Sequence, residues 1–341
     1  MHNIHSRAAD LVGVLIIPTG VGAAIGGHAG DATPVAKLLA ACCDWLIVHP
    51  NVVNASDINE MPINALYVDG YTLDQVLSGK EGLKKCQRQN TILVVANDPI
   101  HGSTVNAINA ARTTIGADIQ LIALKTPLTM SAHIDTDGTA SGVVTGVDEL
   151  VEQLKSLEYD ALAIHTPIIC STDVEKYYWD NGGVNPWGGV EARASRMIST
   201  RIRKPVAHAP LDLEDKPEFR NLYCQSVDPR MAAEVISNCF LHCVLKGLHD
   251  CPLPTNYIPE ADWTISDIDF IVTPFNAYPN DALFVVKRGA RLIRVAENIT
   301  VFDDMPYLPG GESVANYLEA AGLIVCMRAG ITSDSVRLLT R

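Results

Sequence analysis

Residues 12–30 read VGVLIIPTGVGAAIGGHAG and contain the pattern that decides the fold. Val12–Ile17 is an uninterrupted apolar run, which is typical of a strand covered on both faces in a parallel sheet. Five glycines between Gly20 and Gly30 follow it, and they delay the next helix until about Thr33. The segment therefore predicts a strand, a glycine-rich loop and a helix, which is the repeating unit of an α/β fold.

The same alternation of apolar runs and helical patterns continues along the chain. The predicted strands that follow are Trp45–Val48, Ala65–Val68, Ile92–Ala96, Ile119–Leu124, Ala161–Ile164, Pro205–Ala207, Phe270–Thr273, Leu292–Val295 and Leu323–Met327. The predicted helices are Pro34–Cys43, Ser103–Ile115, Val147–Leu157, Glu191–Ile202, Met231–Leu248 and Val314–Ala321. This order predicts a doubly wound, mainly parallel, Rossmann-like sheet.

Two irregular stretches interrupt this alternation, Thr166–Gly189 and Asp250–Ser266. The second contains three prolines and is the better candidate for a linker. It predicts a main α/β domain over residues 1–250, with the glycine-rich loop, and a smaller α/β lobe over residues 251–341.

Composition and charge exclude several classes of protein. The 341 residues include 26 Lys and Arg against 39 Asp and Glu, which gives a formal charge of −13. A basic face for nucleic acid is therefore not expected. No apolar run approaches the roughly 20 residues of a membrane span, and residues 1–10 lack the apolar core of a signal peptide. Nine cysteines without a CxxC pair indicate reduced thiols, so a cytoplasmic location is expected.

Polar residues follow most of the predicted strands. Ligands of an open parallel sheet bind beyond the carboxyl ends of its strands, so we expect most of these residues to share one site. The candidate catalytic residues are His49, Asp69, His165, His208 and Glu297. The candidate substrate-binding side chains are His28, Asn51, Asn54, Glu191 and Asn298.

The glycine-rich loop is a further candidate for ligand binding. Its backbone amides could approach a carboxylate, a phosphate or a pyrophosphate at Gly20, Gly22, Gly26 and Gly27. A dinucleotide fingerprint needs a helix that opens inside the motif and an acidic residue after the next strand, but His49 is there. A small-anion cradle is favoured over NAD(P), and a crossover loop without a ligand is the remaining alternative.

Residues 177–191 read YYWDNGGVNPWGGVE and form the most distinctive local stretch. The aromatic side chains can form the wall of a pocket, and Gly188 and Gly189 allow unusual backbone angles. Glu191 falls at the start of a predicted helix, where free amides could hold an anion. A pocket lid and an aromatic-anchored surface loop both fit this pattern.

Six blocks of the sequence carry a resemblance to a known family. They are IPTGVGAAIGGHAGDA (17–32), VHPNVVNASD (48–57), LYVDGYTL (66–73), GVNPWGGVEARAS (183–195), KPVAHAPL (204–211) and RVAENIT (294–300). These blocks resemble an uncharacterised domain-of-unknown-function family common in cyanobacteria and plastid-bearing lineages. They span nearly the whole chain, and the resemblance implies one recurring architecture without naming a reaction.

The residues predict an enzyme that acts on a small polar metabolite, by acid–base chemistry or with a divalent metal. Hydrolysis of a C–N bond in an amide or lactam is favoured. His49 or His208 would be the base or a ligand, and Glu297 or Asp69 the acid or a ligand. An isomerase, a racemase or a lyase would use the same groups.

Two further classes are alternatives, a dinucleotide-dependent oxidoreductase and a non-enzymatic ligand-binding protein. The expected partner is a small-molecule substrate, and neither nucleic acid nor a membrane is expected. Soluble α/β proteins of this size often form homo-oligomers, although no sequence feature shows an interface.

Overall fold

A computed structural model describes residues 10–53, 61–211, 226–236, 240–302 and 311–338. The strands are β1 (Val12–Leu15), β2 (Trp45–Val48), β3 (Ala65–Tyr67), β4 (Gly82–Lys84), β5 (Ile92–Asn97), β6 (Ile119–Leu124), β7 (Thr129–Ile134), β8 (Ala140–Thr145), β9 (Ala161–Thr166), β10 (Ile168–Ile169), β11 (Val206–Pro210), β12 (Leu253–Thr255), β13 (Ile268–Pro274), β14 (Arg291–Val295) and β15 (Gly311–Val314). The helices are α1 (Thr33–Ala40), α2 (Pro50–Val53), α3 (Gly70–Leu77), α4 (Gly102–Ile115), α5 (Val147–Leu154), α6 (Thr172–Asn181), α7 (Gly188–Ile202), α8 (Ala232–Ile236), α9 (Phe240–His249), α10 (Ala282–Lys287) and α11 (Tyr317–Ala329).

Two parallel sheets form the centre of the fold. The larger has six strands in the order β15-β14-β13-β1-β2-β3, and the smaller has four in the order β11-β9-β5-β6. All neighbouring strands in both sheets are parallel. The predicted Rossmann-like α/β fold is confirmed in its class, with large, mainly parallel sheets flanked by helices. Its strands divide between two sheets, whereas the alternation along the chain suggested one.

Strand β1 shows why the apolar runs are continuous. Successive side chains of a strand point to opposite faces of its sheet. Val12 and Val14 belong to a core cluster on one face, and Leu15 belongs to a second cluster on the other. The strand has no polar face because both faces are covered. Gly13 is required between these residues, since a Cβ there would overlap the ring of Phe270.

Helix α9 joins the two sheets. It packs on β5, β9 and β11 of the smaller sheet and on α4. Gly247 of the same helix lies against Tyr67 of the larger sheet, and a Cβ at Gly247 would overlap that ring. One core cluster accordingly contains buried residues of both sheets, for example Val48 and Ile92.

Two sequence predictions are wrong in detail. Leu323–Met327 is not a strand, because these residues lie inside α11, which Asn316 caps and Gly330 ends in a left-handed conformation. A five-residue apolar run fits a strand or a buried helix equally well, and here the caps decide. Thr166–Gly189 is not irregular throughout, since α6 begins inside it after Ser171, whose side chain accepts from the Val174 amide.

The larger sheet runs through the boundary that the sequence suggested at residue 250. Strands β13, β14 and β15 continue the sheet next to β1, and the Val12 amide donates to Asp269 at 2.8 Å. The stretch before them supplies β12, which pairs with β4. The division into a main domain and a smaller lobe over residues 251–341 that packs on it stays a prediction. None of the helices in the described ranges is long and apolar enough to cross a membrane.

Candidate functional site

One cavity of about 310 Å³ lies where strands of both sheets end. The larger sheet contributes Thr19 after β1, His49 after β2 and Asp69 after β3. The smaller sheet contributes Pro167 after β9 and His208 within β11. Three of the predicted catalytic residues therefore line one space, as expected for the carboxyl ends of parallel strands.

Helix α7 forms another wall of the cavity. It begins at Gly188 and Gly189, and both glycines are closely packed. A Cβ at Gly188 would overlap the Thr19 hydroxyl, and a Cβ at Gly189 would overlap the Ala140 carbonyl oxygen. This close packing places Glu191, in the first turn of the helix, in the cavity wall.

Replacing Gly189 by Ala should destabilise the protein by about 2 kcal/mol, because the Ala140 carbonyl belongs to the backbone of β8 and cannot rotate away. Gly102→Ala is the matched control, since Gly102 is also in the first turn of a helix and has open space around its Cβ position. It should stabilise by about 0.5 kcal/mol. Urea unfolding of both variants measures the difference, and equal stabilities would contradict the packing role.

His208 and Glu191 form a pair in the cavity. Nδ1 of His208 lies 3.2 Å from Oε1 of Glu191, and Nε2 lies 3.4 Å from the Thr166 hydroxyl. The His208 side chain is only 1% exposed, whereas that of Glu191 is 26% exposed. Because a carboxylate only accepts, Nδ1 is the donor in this pair, and Nε2 is the ring nitrogen available to act as an acceptor.

Asp69 is a buried carboxyl group with one unsatisfied oxygen. Its Oδ2 accepts from the Thr72 amide at 3.3 Å, as the N-cap of α3, and from the Ser199 hydroxyl at 3.1 Å. Its Oδ1 is buried and has no hydrogen-bond partner among the described residues. Burial raises the pKa of Asp69 to about 6, although the hydrogen bonds oppose that shift. The group can therefore exchange a proton near neutral pH.

His49 directly follows β2, which pairs with β3, the strand that precedes Asp69. Burial lowers the pKa of His49 to about 4, and the nearby Arg196 guanidinium lowers it further. The ring is therefore neutral at pH 7. Its Nδ1 is buried without a partner in the part of the chain that the structure describes. Its Nε2 points toward Gly70, where a Cβ would lie only 3.0 Å away.

His165 and His28 are buried and do not belong to the cavity lining. His165 is buried, its Nδ1 is 2.9 Å from the Thr104 hydroxyl, and burial lowers its pKa to about 3. His28 Nδ1 is 2.6 Å from the Tyr178 hydroxyl, which donates to Glu234 Oε2 at 2.6 Å. Neither histidine lines the cavity, but Glu234 does.

Glu297 and Asn298 lie elsewhere and do not line the cavity. Oε1 of Glu297 accepts from the Tyr317 amide at 3.2 Å, at the start of α11. Asn298 accepts from the Ile25 amide at 2.9 Å and donates to the Tyr317 hydroxyl at 2.7 Å. These bonds hold the glycine-rich loop against α11, so both residues have structural partners.

The glycine-rich loop contributes little to the cavity surface. Of this loop only Ala29 lines the cavity, next to Thr19 just before it, while the predicted ligand-binding glycines do not: Gly20, Gly22, Gly26 and Gly27. A Cβ at Gly27 would overlap the Ala23 carbonyl, which is a packing constraint. The anion cradle stays a prediction. Asn51 does line the cavity, and its amide donates to the Gly26 carbonyl at 2.8 Å.

Several lining residues were not identified from the sequence as members of this site. They are Glu175, Trp179, Trp187, Ser195, Arg196 and Glu234. The sequence singled out the stretch that contains the two tryptophans, but it left a pocket lid and a surface loop as alternatives. Nothing local distinguishes Glu234 within its helix. Asn54, a predicted binding residue, lies outside the described residues.

No group of three or more His, Cys, Asp or Glu side chains is placed to hold a metal ion within the described ranges. The cavity instead brings together separate proton-transfer groups, the His208–Glu191 pair and the neighbours His49 and Asp69. Such groups can take up and release protons on a bound molecule.

Comparisons with known proteins find one family and one relative that each match nearly the whole chain. Residues 12–337 match the family described as "Protein of unknown function (DUF3326)". The chain is similar to an uncharacterized lipoprotein of Synechococcus sp., with 32% identity over 337 residues that cover 94% of this chain and 92% of that protein. No solved structure matches the chain. The protein therefore belongs to the DUF3326 family, in line with the resemblance of its six sequence blocks.

Proposed function

We propose that the protein is an enzyme that hydrolyses a C–N bond, in an amide or lactam, of a small polar metabolite. The observation that carries the proposal is the His208–Glu191 pair in the wall of a cavity of about 310 Å³. A cavity of this size suits a small metabolite. A carboxylate beside Nδ1 orients the imidazole and stabilises its charged form, which prepares Nε2 to accept a proton.

The proposed reaction needs one base and one acid. Nε2 of His208 takes a proton from water, and the resulting hydroxide adds to the carbonyl carbon. Asp69 in its protonated form gives a proton to the leaving nitrogen as the C–N bond breaks. The pKa of about 6 supports this role, because burial keeps a useful fraction of the group protonated near neutral pH. A proton then returns from His208 to Asp69 through solvent.

An isomerase or racemase is the second candidate, favoured by one observation. The two sets of proton-transfer groups come from different sheets, Asp69 and His49 from the larger and His208 from the smaller. Groups on separate walls suit removal of a proton from one side of a carbon and its return on another.

A panel of small amides, lactams and amino acids, incubated with the protein in D₂O, tests both candidates. NMR detects release of an amine, which would support hydrolysis, and deuterium at a substrate carbon, which would support isomerisation. Absence of both from about pH 5 to about pH 9 would overturn an acid–base enzyme acting on these compound classes. A ligand that binds without turnover would then favour a binding protein.

A further inference from the structure

Carboxylic acids dominate the charged lining of the cavity. The four acidic residues in its wall are Asp69, Glu175, Glu191 and Glu234. Among the described lining residues Arg196 is the only Lys or Arg, and its guanidinium is paired with Asp74. An anionic ligand would meet net repulsion in this space, whereas a cation would neutralise carboxylates that are partly removed from water.

Two tryptophans form an aromatic wall in the same cavity. Trp179 and Trp187 both line it, and their ring centroids are 5.6 Å apart at an interplanar angle of 40°. Tyr178 meets both rings edge-on, at 5.1 and 5.6 Å, and so supports their positions. The faces of aromatic rings attract organic cations, and tryptophan does so most strongly.

Glu234 links this aromatic wall to the carboxylates. It is 6% exposed, and both of its oxygens accept hydrogen bonds, from the Tyr178 hydroxyl at 2.6 Å and from the Asn185 amide at 2.7 Å. These bonds fix a buried acidic group beside the tryptophans that Tyr178 contacts. Independently, Asp69 lines the same cavity, and its buried Oδ1 has no hydrogen-bond donor among the described residues. A ligand with N–H groups would satisfy it.

We propose that the cavity recognises an organic ammonium ion, with Trp179, Trp187 and Glu234 around the positive charge. The substrate is then a small molecule that carries a positively charged amine next to the bond that reacts. The identification of this ligand as a substrate rests on the proposed function, but the binding itself does not require turnover.

Isothermal titration of the whole protein with two ammonium ions and their neutral counterparts tests the inference. The pairs are choline with 3,3-dimethyl-1-butanol, and n-butylammonium with 1-butanol. At least one ammonium ion should bind about tenfold or more tightly than its neutral counterpart, because the two members of each pair are close in size and shape and only one is charged. This comparison uses the unmodified protein and does not depend on a variant that folds.

Variants then locate the binding. Glu234→Gln should weaken ammonium binding by about tenfold without changing the affinity for the neutral alcohol. Trp179→Leu should weaken ammonium binding by about tenfold and alcohol binding by less. Glu152→Gln is the matched control, since the Glu152 side chain is 71% exposed and does not line the cavity, and this variant should bind as the unmodified protein does. Circular dichroism confirms that each variant is folded.

Three results would overturn the inference: equal affinity for ammonium ions and alcohols, tighter binding of the anion pivalate, or no saturable binding of either ammonium ion. Failure of the proposed function has a different signature. If ammonium ions bind but no amide is hydrolysed, the proposed cation site is supported and the proposed hydrolase activity is overturned. If only neutral or anionic amides are hydrolysed and no ammonium ion binds, the proposed hydrolase activity is supported and the proposed cation site is overturned.

Discussion

Glu191→Gln should lower kcat for the substrate found in the panel by at least about 100-fold, with little change in KM. The amide of Gln is neutral, and it can present an N–H instead of an acceptor to Nδ1 of His208. The ring then loses both the orientation of its Nε2 and the stabilisation of its charged form. Steady-state kinetics at pH 7 measures the effect, and a melting curve tests whether the cavity wall remains folded.

The matched control for this pair is on the surface. His133 and Asp135 form a similar pair, with Nε2 3.0 Å from Oδ1, but both side chains are about half exposed and outside the cavity. His133→Gln should leave kcat unchanged, whereas His208→Gln should lower it by about 1000-fold. If all three variants retain full activity, or all lose it equally, the cavity pair is not the proton-transfer group.

The free energy of unfolding of the Asp69→Asn variant should increase relative to that of the unmodified protein as the pH rises. Burial raises the native pKa of Asp69 from 3.8 to about 6, so the native state binds more protons than the unfolded state between these values. Stability from this group is therefore complete below about pH 4 and falls as the pH rises through about 6, by about 3 kcal/mol in total. Asn accepts the same hydrogen bonds without carrying a charge.

Urea unfolding of both proteins at about pH 4 and about pH 7 measures this difference. About 2 kcal/mol of the change should appear in that interval. Ser199→Ala removes a donor to Oδ2 and should steepen the loss of stability with pH, because the charged form of Asp69 loses a stabilising hydrogen bond. A stability difference between Asp69→Asn and the unmodified protein that does not depend on pH would contradict the raised pKa.

The buried parallel strands were predictable because they leave a strong local signal. The predicted bounds of Trp45–Val48 and Ile119–Leu124 match the observed strands. The β7–β8 hairpin was missed, because its strands are mostly half-buried or exposed and form no continuous apolar run. The edge strand β15, which reads GESV, was missed for the same reason.

Whether a predicted site residue lies in the cavity depends on the order of the strands in the sheet. His49 and Asp69 follow neighbouring strands and come together, as the strand-end rule predicts. Glu297 follows β14, which is separated from β2 by β13 and β1, so the two strands lie about 14 Å apart. The rule identifies the end of a strand, but it does not identify which strands are neighbours.

The sequence by itself determined the alternation of buried strands and helices, and with it the acid–base residues that stand at strand ends. These properties depend on the pattern of apolar residues within about ten positions, which is local. The tertiary structure decided that the buried parallel strands divide between two large sheets and that α7 brings Glu191 to His208. It also decided that Glu234 joins the aromatic wall. These features depend on packing between segments that are distant in the sequence, such as Gly189 against Ala140. A local sequence pattern does not predict such contacts.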